Sequence, residues 1–368
     1  MNASSLELFV KLPLGGVDRR AIPGMLGEHG LPTARADVAR WRAAVRPAPC
    51  EIADDACVLV LGGSNGILRA VAIQLLFGQR VPVHCVHYDS EKLQVGPHYA
   101  RAIMEAAAEA GVACTFTNGD ATKPDMINAT VDSLRGKYRA VHLINGIAAG
   151  ATKRYSKHGP TEVRDLDVAF DGVRQIPDFS APECVRRLGL VKVDVATDQD
   201  IERTNKMMGT STVPWAEALA AAGLLVRGES IVAFADYDFE PDDPVYGMGP
   251  LAGAKVLQRE CMAKIHADYG VRTVRLCYPA MNTTAIGAIP GGMLMFALTA
   301  QILLERSQYA DLPALARETM ALFRRGDSSD TLRMDAAFMA TRPEFHVRAA
   351  RLTPGNVREE LHNVFGRV

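Results

Sequence analysis

The chain carries seven cysteines but has no C-x-x-C pair. Cys50, Cys57, Cys85, Cys114, Cys184, Cys261 and Cys277 fall mostly inside apolar runs, which predicts buried thiols of a reducing compartment. No run of like charges occurs, and the formal net charge is −1 over 368 residues. A nucleic-acid or acidic-membrane partner is therefore not expected. No apolar stretch reaches the ~20 residues that a membrane span needs. The most apolar segment, GGMLMFALTAQILL at 291–304, reads as a buried helix. The opening residues, MNASSLELFVKLPLGG, lack a basic region and a long apolar one, so no leader is expected and the chain reads as cytoplasmic. Low-complexity tracts and internal repeats are missing as well. What is present is an ordinary globular composition, 48% hydrophobic and 23% charged. A core of this size needs neither a metal nor a disulfide.

From residue 57 onward, short β-branched runs alternate with amphipathic ones. Strands are expected at 57–61, 81–87, 112–117 and 139–144, with helices at 66–77, 97–110 and 124–135. Residues 145–195 break this rhythm and read as an insertion or lid. It then resumes, with a two-piece helix at 201–225, strands at 230–235 and 271–277, and a helix at 251–268. Such alternation predicts an α/β fold: a doubly wound parallel sheet of at least six strands, a Rossmann fold. One elaborated domain fits better than two. Residues 1–50 read as an N-terminal extension and 51–325 as the nucleotide-binding and catalytic domain, with its insertion at about 145–200. Residues 326–368 read as a helical extension packed on it.

The first strand runs into Gly62-Gly63-Ser64-Asn65-Gly66 and then a helix. This layout suits either a dinucleotide site or a G-x-S-x-G nucleophile elbow. An elbow serine normally follows several strands, whereas this turn follows the first. The second strand ends in Asp89, about 20 residues beyond the turn, where a dinucleotide site places the acid that accepts from ribose hydroxyls. The glycines let backbone approach phosphates, and the free N–H groups of the helix start point at them. The G-x-G-x-x-G form itself is absent. A carboxylate at Asp89 repels a 2′-phosphate, which favours NADH over NADPH. The alternatives are a purely structural turn and a nucleophilic Ser64.

A Tyr-x3-Lys spacing, used by short-chain reductases, occurs only at Tyr88 and Lys92 and reads as chance. Tyr246 and Lys255 are better placed, after the strand at 230–235. On a continuous helix they would stand ~13.5 Å apart. Gly247, Gly249 and Pro250 argue instead for a loop that folds the phenol back near Lys255. A packed loop tyrosine and a solvated lysine are the plain alternatives.

Taken together, these residues resemble the trans-2-enoyl-CoA reductases, or FabV-type enoyl-acyl-carrier-protein reductases, marked by Tyr-x8-Lys. Similar stretches are the turn at 62–66, TNGDA at 117–121, MMG at 207–209, WAEALAAAGLL at 215–225, TTAIGAIP at 283–290 and RMDAAFMATRPEF in the tail. The resemblance spans roughly 38–368. It implies NADH-dependent reduction of the double bond of an α,β-unsaturated acyl thioester, carried on CoA or an acyl carrier protein. Tyr246 would donate to the thioester oxygen, and Lys255 would support the cofactor and the phenol. Gly62, Gly63, Ser64, Asn65, Gly66, Ile67, Asn145 and Gly146 would surround the cofactor. Asp120 and Ala121 would lie by the adenine, Asp89 by its ribose, and Thr283 by the nicotinamide or its phosphates. Residues 293–304 would line an acyl pocket. No metal is implied. On the residues alone, Asp120 and Thr283 read as caps, and the Met-Leu-Met-Phe run as core.

Departures fall on the substrate side. Asp236 stands where the family has a second tyrosine, with Tyr237 one step on, so both join the candidate catalytic set. Ile67 replaces an aromatic residue, and the loop after the fourth strand reads INGIAAGATKR. The expectation is a divergent member with a specialised substrate, whose phosphates could meet Lys153, Arg154 and Lys157. Other readings are a carbonyl or imine reductase, a serine hydrolase pairing Ser64 with His266, His346 or His362, and a protein that binds NADH without turnover.

Overall fold

The computed structural model describes residues 10–11, 18–148, 154–156, 159–324 and 330–368. Its main strands are β1 (Ala56–Leu61), β2 (Val83–His87), β3 (Cys114–Asn118), β4 (Ala140–Asn145), β5 (Thr161–Val168), β6 (Val185–Val195), β7 (Ile231–Asp236), β8 (Arg272–Cys277) and β9 (Thr331–Arg333). Seven of these form one parallel sheet in the order β3-β2-β1-β4-β7-β8-β9. β1 and β4 are buried at every residue. β1 reads as an unbroken apolar run and β4 as one broken only by His142 and Asn145, because helices cover both faces. Each Val or Leu buried there contributes about 1.5–3 kcal/mol.

One face packs under α1 (Leu31–Ala44), α2 (Gly66–Ile73) and α3 (Gly96–Glu109). The other packs under α4 (Pro124–Leu134), α5 (Thr212–Ala221) and α6 (Pro250–Tyr269). Helix α6 has Pro250 in its first turn, where no N–H is needed, and stops at Gly270 in the left-handed conformation. Beyond the sheet come α7 (Gly292–Glu305), α8 (Leu312–Thr319), which returns to pack on α2, and α9 (Arg342–Arg351).

Within the interruption at 145–195, the described residues form a second small sheet. β5 and β6 pair antiparallel, with Val163 opposite Val191. Their inner residues Leu166, Val168 and Leu188 pack on Phe296 and Ala297 of α7. Lys153 and Lys157 lie outside the described residues, and only the backbone of Arg154 is described.

The six expected strands form with their ends shifted by a residue or two. The seventh, β9, has three residues, too few to carry a period. Helix α1 also goes beyond the sequence reading, because its apolar stripe is thin. Strand order reverses between β1 and β4, which opens a crevice at their carboxyl ends.

Candidate active site

The glycine turn lies at that crevice. Gly62 has φ +90°, and a Cβ there would come within 3.1 Å of the Gly146 carbonyl oxygen, so the two strand exits cross too closely for a side chain. A Cβ on Gly63 would meet Cys85 Sγ at 2.7 Å. Asn65 is extended before α2, and its side chain does not cap the helix, so among the described residues no side chain takes up the first-turn N–H groups. Thr283 closes over the helix start: a Cβ on Gly66 would sit 3.6 Å from its methyl carbon. Beside it, Asn282 donates to the Pro177 carbonyl at 3.2 Å. Its buried Oδ1 has no hydrogen-bond partner among the described residues. The sequence reading passed over Asn282.

Ser64 is buried, and its hydroxyl and Asp89 Oδ2 both come up to Gly96, leaving no room for a Cβ there. His87 Nδ1 lies 2.8 Å from Asp89 Oδ2 and fixes that carboxylate. Asn118 bonds both backbone groups of Asp89, at 3.0 and 2.8 Å. Asp120 caps the following turn by accepting from the Thr122 N–H and hydroxyl at 2.9 and 2.7 Å. Trp215 donates to the Ala121 carbonyl at 2.9 Å, which joins TNGDA to WAEALAAAGLL. Asn145 spends its amide inside the protein, donating to Ser211 and Thr212 at 3.0 and 2.7 Å and accepting from the Ile147 N–H at 2.9 Å. Ile67 is buried in the core.

A buried cation underlies the turn. The Arg69 guanidinium lies 3.7 Å from the Tyr99 ring centroid and 5.1 Å from that of Trp41. Burial lowers its pKa, which the Tyr99, Asp37 and Asp89 charges oppose. Asp37 accepts from Tyr99 at 2.5 Å and from Arg174 of the insertion at 2.8 and 3.1 Å. No motif signalled Arg69, because its ring partners Trp41 and Tyr99 come from α1 and α3.

Across the crevice, the loop between β7 and α6 folds tightly. Asp243 accepts from the N–H groups of Val245 and Tyr246 at 3.0 and 2.7 Å. This turn directs Tyr246 inward, where it stacks on Phe239 with centroids 4.2 Å apart and meets the edge of Tyr237 at 5.9 Å. A Cβ on Gly292, at the start of α7, would lie 3.4 Å from the Tyr246 hydroxyl. Lys255 Nζ is 5.4 Å from the Tyr237 ring centroid and donates to the Ala235 carbonyl and Gln258 Oε1 at 2.5 and 2.9 Å. Burial pushes this ammonium down to about 8, against the pull of Asp236. Tyr237 thus lies between Tyr246 and Lys255.

Asp236 lies beside them, its charge acting on Lys255, with its carboxylate turned to two arginines. Its fully buried carboxylate accepts from Arg259 at 3.0 Å and from Arg275 at 2.8 Å, while Oδ1 takes the Tyr237 N–H at 2.9 Å.

Of the run at 293–304, Met295 packs in the cluster around Tyr246 with Met208, Val245, Leu251 and Phe338. Met293, Leu294 and Phe296 pack instead against the insertion and tail. Asp165 of β5 holds the start of α7, accepting from Gly291 and Leu294 at 2.9 and 3.0 Å. Burial pushes its carboxyl up to about 7, opposed by these N–H groups.

The three histidines considered for Ser64 bond elsewhere: His266 to Val271, His346 to Glu240 and His362 to Glu359. A groove of about 1150 Å³, lined by Arg139, His142, Glu229 and Arg272 among others, opens at the amino ends of the strands, remote from Tyr246.

Residues 94–312 match the family model described as the trans-2-enoyl-CoA reductase catalytic region, more than half of the chain. The chain belongs to this family. Among curated relatives, an NADH enoyl-[acyl-carrier-protein] reductase of Burkholderia pseudomallei (strain 1710b) is 28% identical over 262 residues, covering 68% of this chain. Its counterpart in Burkholderia vietnamiensis is 27% identical over 265 residues. The chain spans 65% and 64% of the lengths of these two relatives. Among solved structures, trans-2-enoyl-CoA reductase of Clostridium acetobutulicum, in complex with NADH, superposes with a TM-score of 0.75 at 17% identity, over 97% of this chain and 94% of that one. The Treponema denticola reductase, in complex with NAD, gives 0.66 at 16% identity, over 97% and 95%. At these identities the structural likeness speaks for the fold.

Proposed function

We propose that the chain uses NADH to reduce the carbon–carbon double bond of an α,β-unsaturated acyl thioester, carried on CoA or an acyl carrier protein. The observation that carries this reading is the grouping of Tyr246, Tyr237 and Lys255 across the switch-point crevice from the glycine turn. Family membership and the names of the relatives support it. We also place the protein in the cytoplasm: all seven cysteines are free thiols, and no helix among the described residues is long and apolar enough to cross a membrane.

The residues present fit NADH. Gly62, Gly63 and Gly96 let the backbone pass where a Cβ would press on Gly146, Cys85 and Asp89, and the start of α2, uncapped by Asn65, would offer its N–H groups to phosphates. Asp89 would accept from the adenine ribose, and Asn282 Oδ1 from the nicotinamide amide. Bound there, the cofactor would supply a hydride to the β-carbon. Tyr246 donates a hydrogen bond to the thioester oxygen as charge develops on it, where a preorganised donor acts most strongly. Lys255 keeps positive potential beside the phenols. The α-carbon takes its proton directly from Tyr246 or through water. Asp236 serves as an anchor for the loop, its charge answered by Arg259 and Arg275.

NADH oxidation with crotonyl-CoA, a β-ketoacyl thioester and a cyclic imine tests the reaction. Turnover of the ketone alone would sink the enoyl assignment. Asp89→Ala should weaken NADH about tenfold, since a hydrogen bond to a charged group contributes ~1.5–3 kcal/mol. Discrimination against NADPH should relax with it. Unchanged dissociation constants for both nucleotides would remove Asp89 from the ribose.

The lysine makes a pH prediction. Its charge is complete well below about 8 and lost above it. Because kcat/KM for NADH reports the free enzyme, it should fall on the alkaline side from about pH 8. The residual activity of Lys255→Met should lack that limb. If the variant keeps the same limb, another group is responsible.

A further inference from the structure

Arg342 is the first residue of α9, a helix start at which the dipole disfavours a cation. It is nonetheless only 6% exposed. One arm is satisfied, with Nη2 donating to Glu240 Oε2 at 2.7 Å. The other arm, Nη1, is buried and has no hydrogen-bond partner among the described residues. Buried donors are nearly always paired, and one left over calls for a partner.

The surroundings say what that partner touches. The guanidinium carbon lies 4.8 Å from the Phe345 ring centroid. Phe345, Phe338 and Met339 belong to the apolar cluster that encloses Tyr246 and Met295. Glu240 sits on the same loop as Tyr237, Phe239 and Tyr246, and His346 also holds it, at 2.8 Å. The tail therefore brings a spare donor beside the apolar cluster around Tyr246, while Glu240 already answers its charge. A neutral oxygen suits such a donor better than a carboxylate, which would bring a second negative charge beside Glu240.

We propose that Arg342 is a specificity-determining residue whose Nη1–H reads a keto or hydroxyl oxygen on the acyl chain. This rests on the reading that the thioester is reduced beside Tyr246. The favoured substrate is then an oxygenated enoyl thioester rather than a plain fatty one. A site built around a hydrogen bond rejects the chain that lacks the acceptor, because its own donor is then left unpaired.

The test measures kcat/KM with trans-2-octenoyl-CoA, with analogues carrying a ketone at successive positions beyond the double bond, and with an analogue ending in a carboxylate. The native protein should prefer the best ketone by about tenfold or more. In Arg342→Met the ratio of ketone to plain chain should fall to about one, whereas a purely structural role would lower both values together. Arg342→Lys, which keeps a cation for Glu240 but loses the fork, should also lose the preference, and NADH binding reports whether either variant is folded. Turnover of the plain chain with no preference for any ketone overturns the proposal and leaves the reductase reading standing. A preference for the carboxylate overturns the neutral-acceptor assignment. Turnover of no thioester removes the reductase reading, and this proposal with it.

Discussion

Tyr246→Phe should lower turnover of the thioester by ~10²–10³, the usual effect of deleting one oxyanion donor. The substitution removes the hydroxyl and keeps the ring. The ring keeps its stack on Phe239 and its edge contact with Tyr237, so the loop should hold its shape. The glycine turn and Asp89 lie across the crevice on other elements, so NADH affinity should not change. The loss should appear in kcat as well as in kcat/KM, because the bond strengthens only as the oxygen gains charge. Stopped-flow measurement of NADH consumption, with nucleotide binding followed separately, checks both halves. Full activity in the variant would move the donor role to another group, with Tyr237 the nearest phenol at 5.9 Å between centroids. Tyr237→Phe made in parallel separates the two phenols.

Much of this architecture is legible in the residues because its signals are local. A β1 run ending in glycines, a helix following without a gap, and an acid 23 residues past Gly66 can all be read within one βαβ unit. The Tyr246–Lys255 spacing is local too, and the intervening glycines and proline argue for a fold-back. The charge partners escape such reading. Asp236 meets Arg259 and Arg275 at separations of 23 and 39 residues, and Glu240 meets Arg342 at 102. Nothing in a lone aspartate says whether its carboxylate faces a substrate or a guanidinium. Arg69 reads as an ordinary helix arginine until Trp41 and Tyr99 close on it from two other helices. The insertion hides its order for another reason. Its strands are half-exposed and charged, so they lack the apolar runs that mark the central sheet.

Asp236→Asn bears on the widest departure from the family pattern, and its largest effect should be on stability. The carboxylate is fully buried, and its Oδ2 accepts from two arginines at once. Removing its charge leaves Arg259 and Arg275 without that anion. Breaking a buried pair in this way costs about 3–5 kcal/mol. The lower end applies here, because Asp238 still pairs with Arg259 and Arg275, at 3.5 and 2.8 Å, and these are 37% and 21% exposed, so water takes up part of the loss. A loss of about 3 kcal/mol in a chain of this size corresponds to a fall in Tm on the order of 5 °C. There is a second consequence at the lysine. Asp236 is the first charge that holds the Lys255 pKa up against burial. Its neutralisation should move the alkaline limb of kcat/KM for NADH to lower pH, while turnover well below that limb stays within a few-fold of the native protein. A carboxylate that took part directly in proton transfer would give the opposite pattern: an unchanged Tm, an unmoved limb and turnover reduced ~10²–10⁴ at every pH. Calorimetry and one pH profile on this single variant therefore decide whether Asp236 holds the loop or handles the substrate.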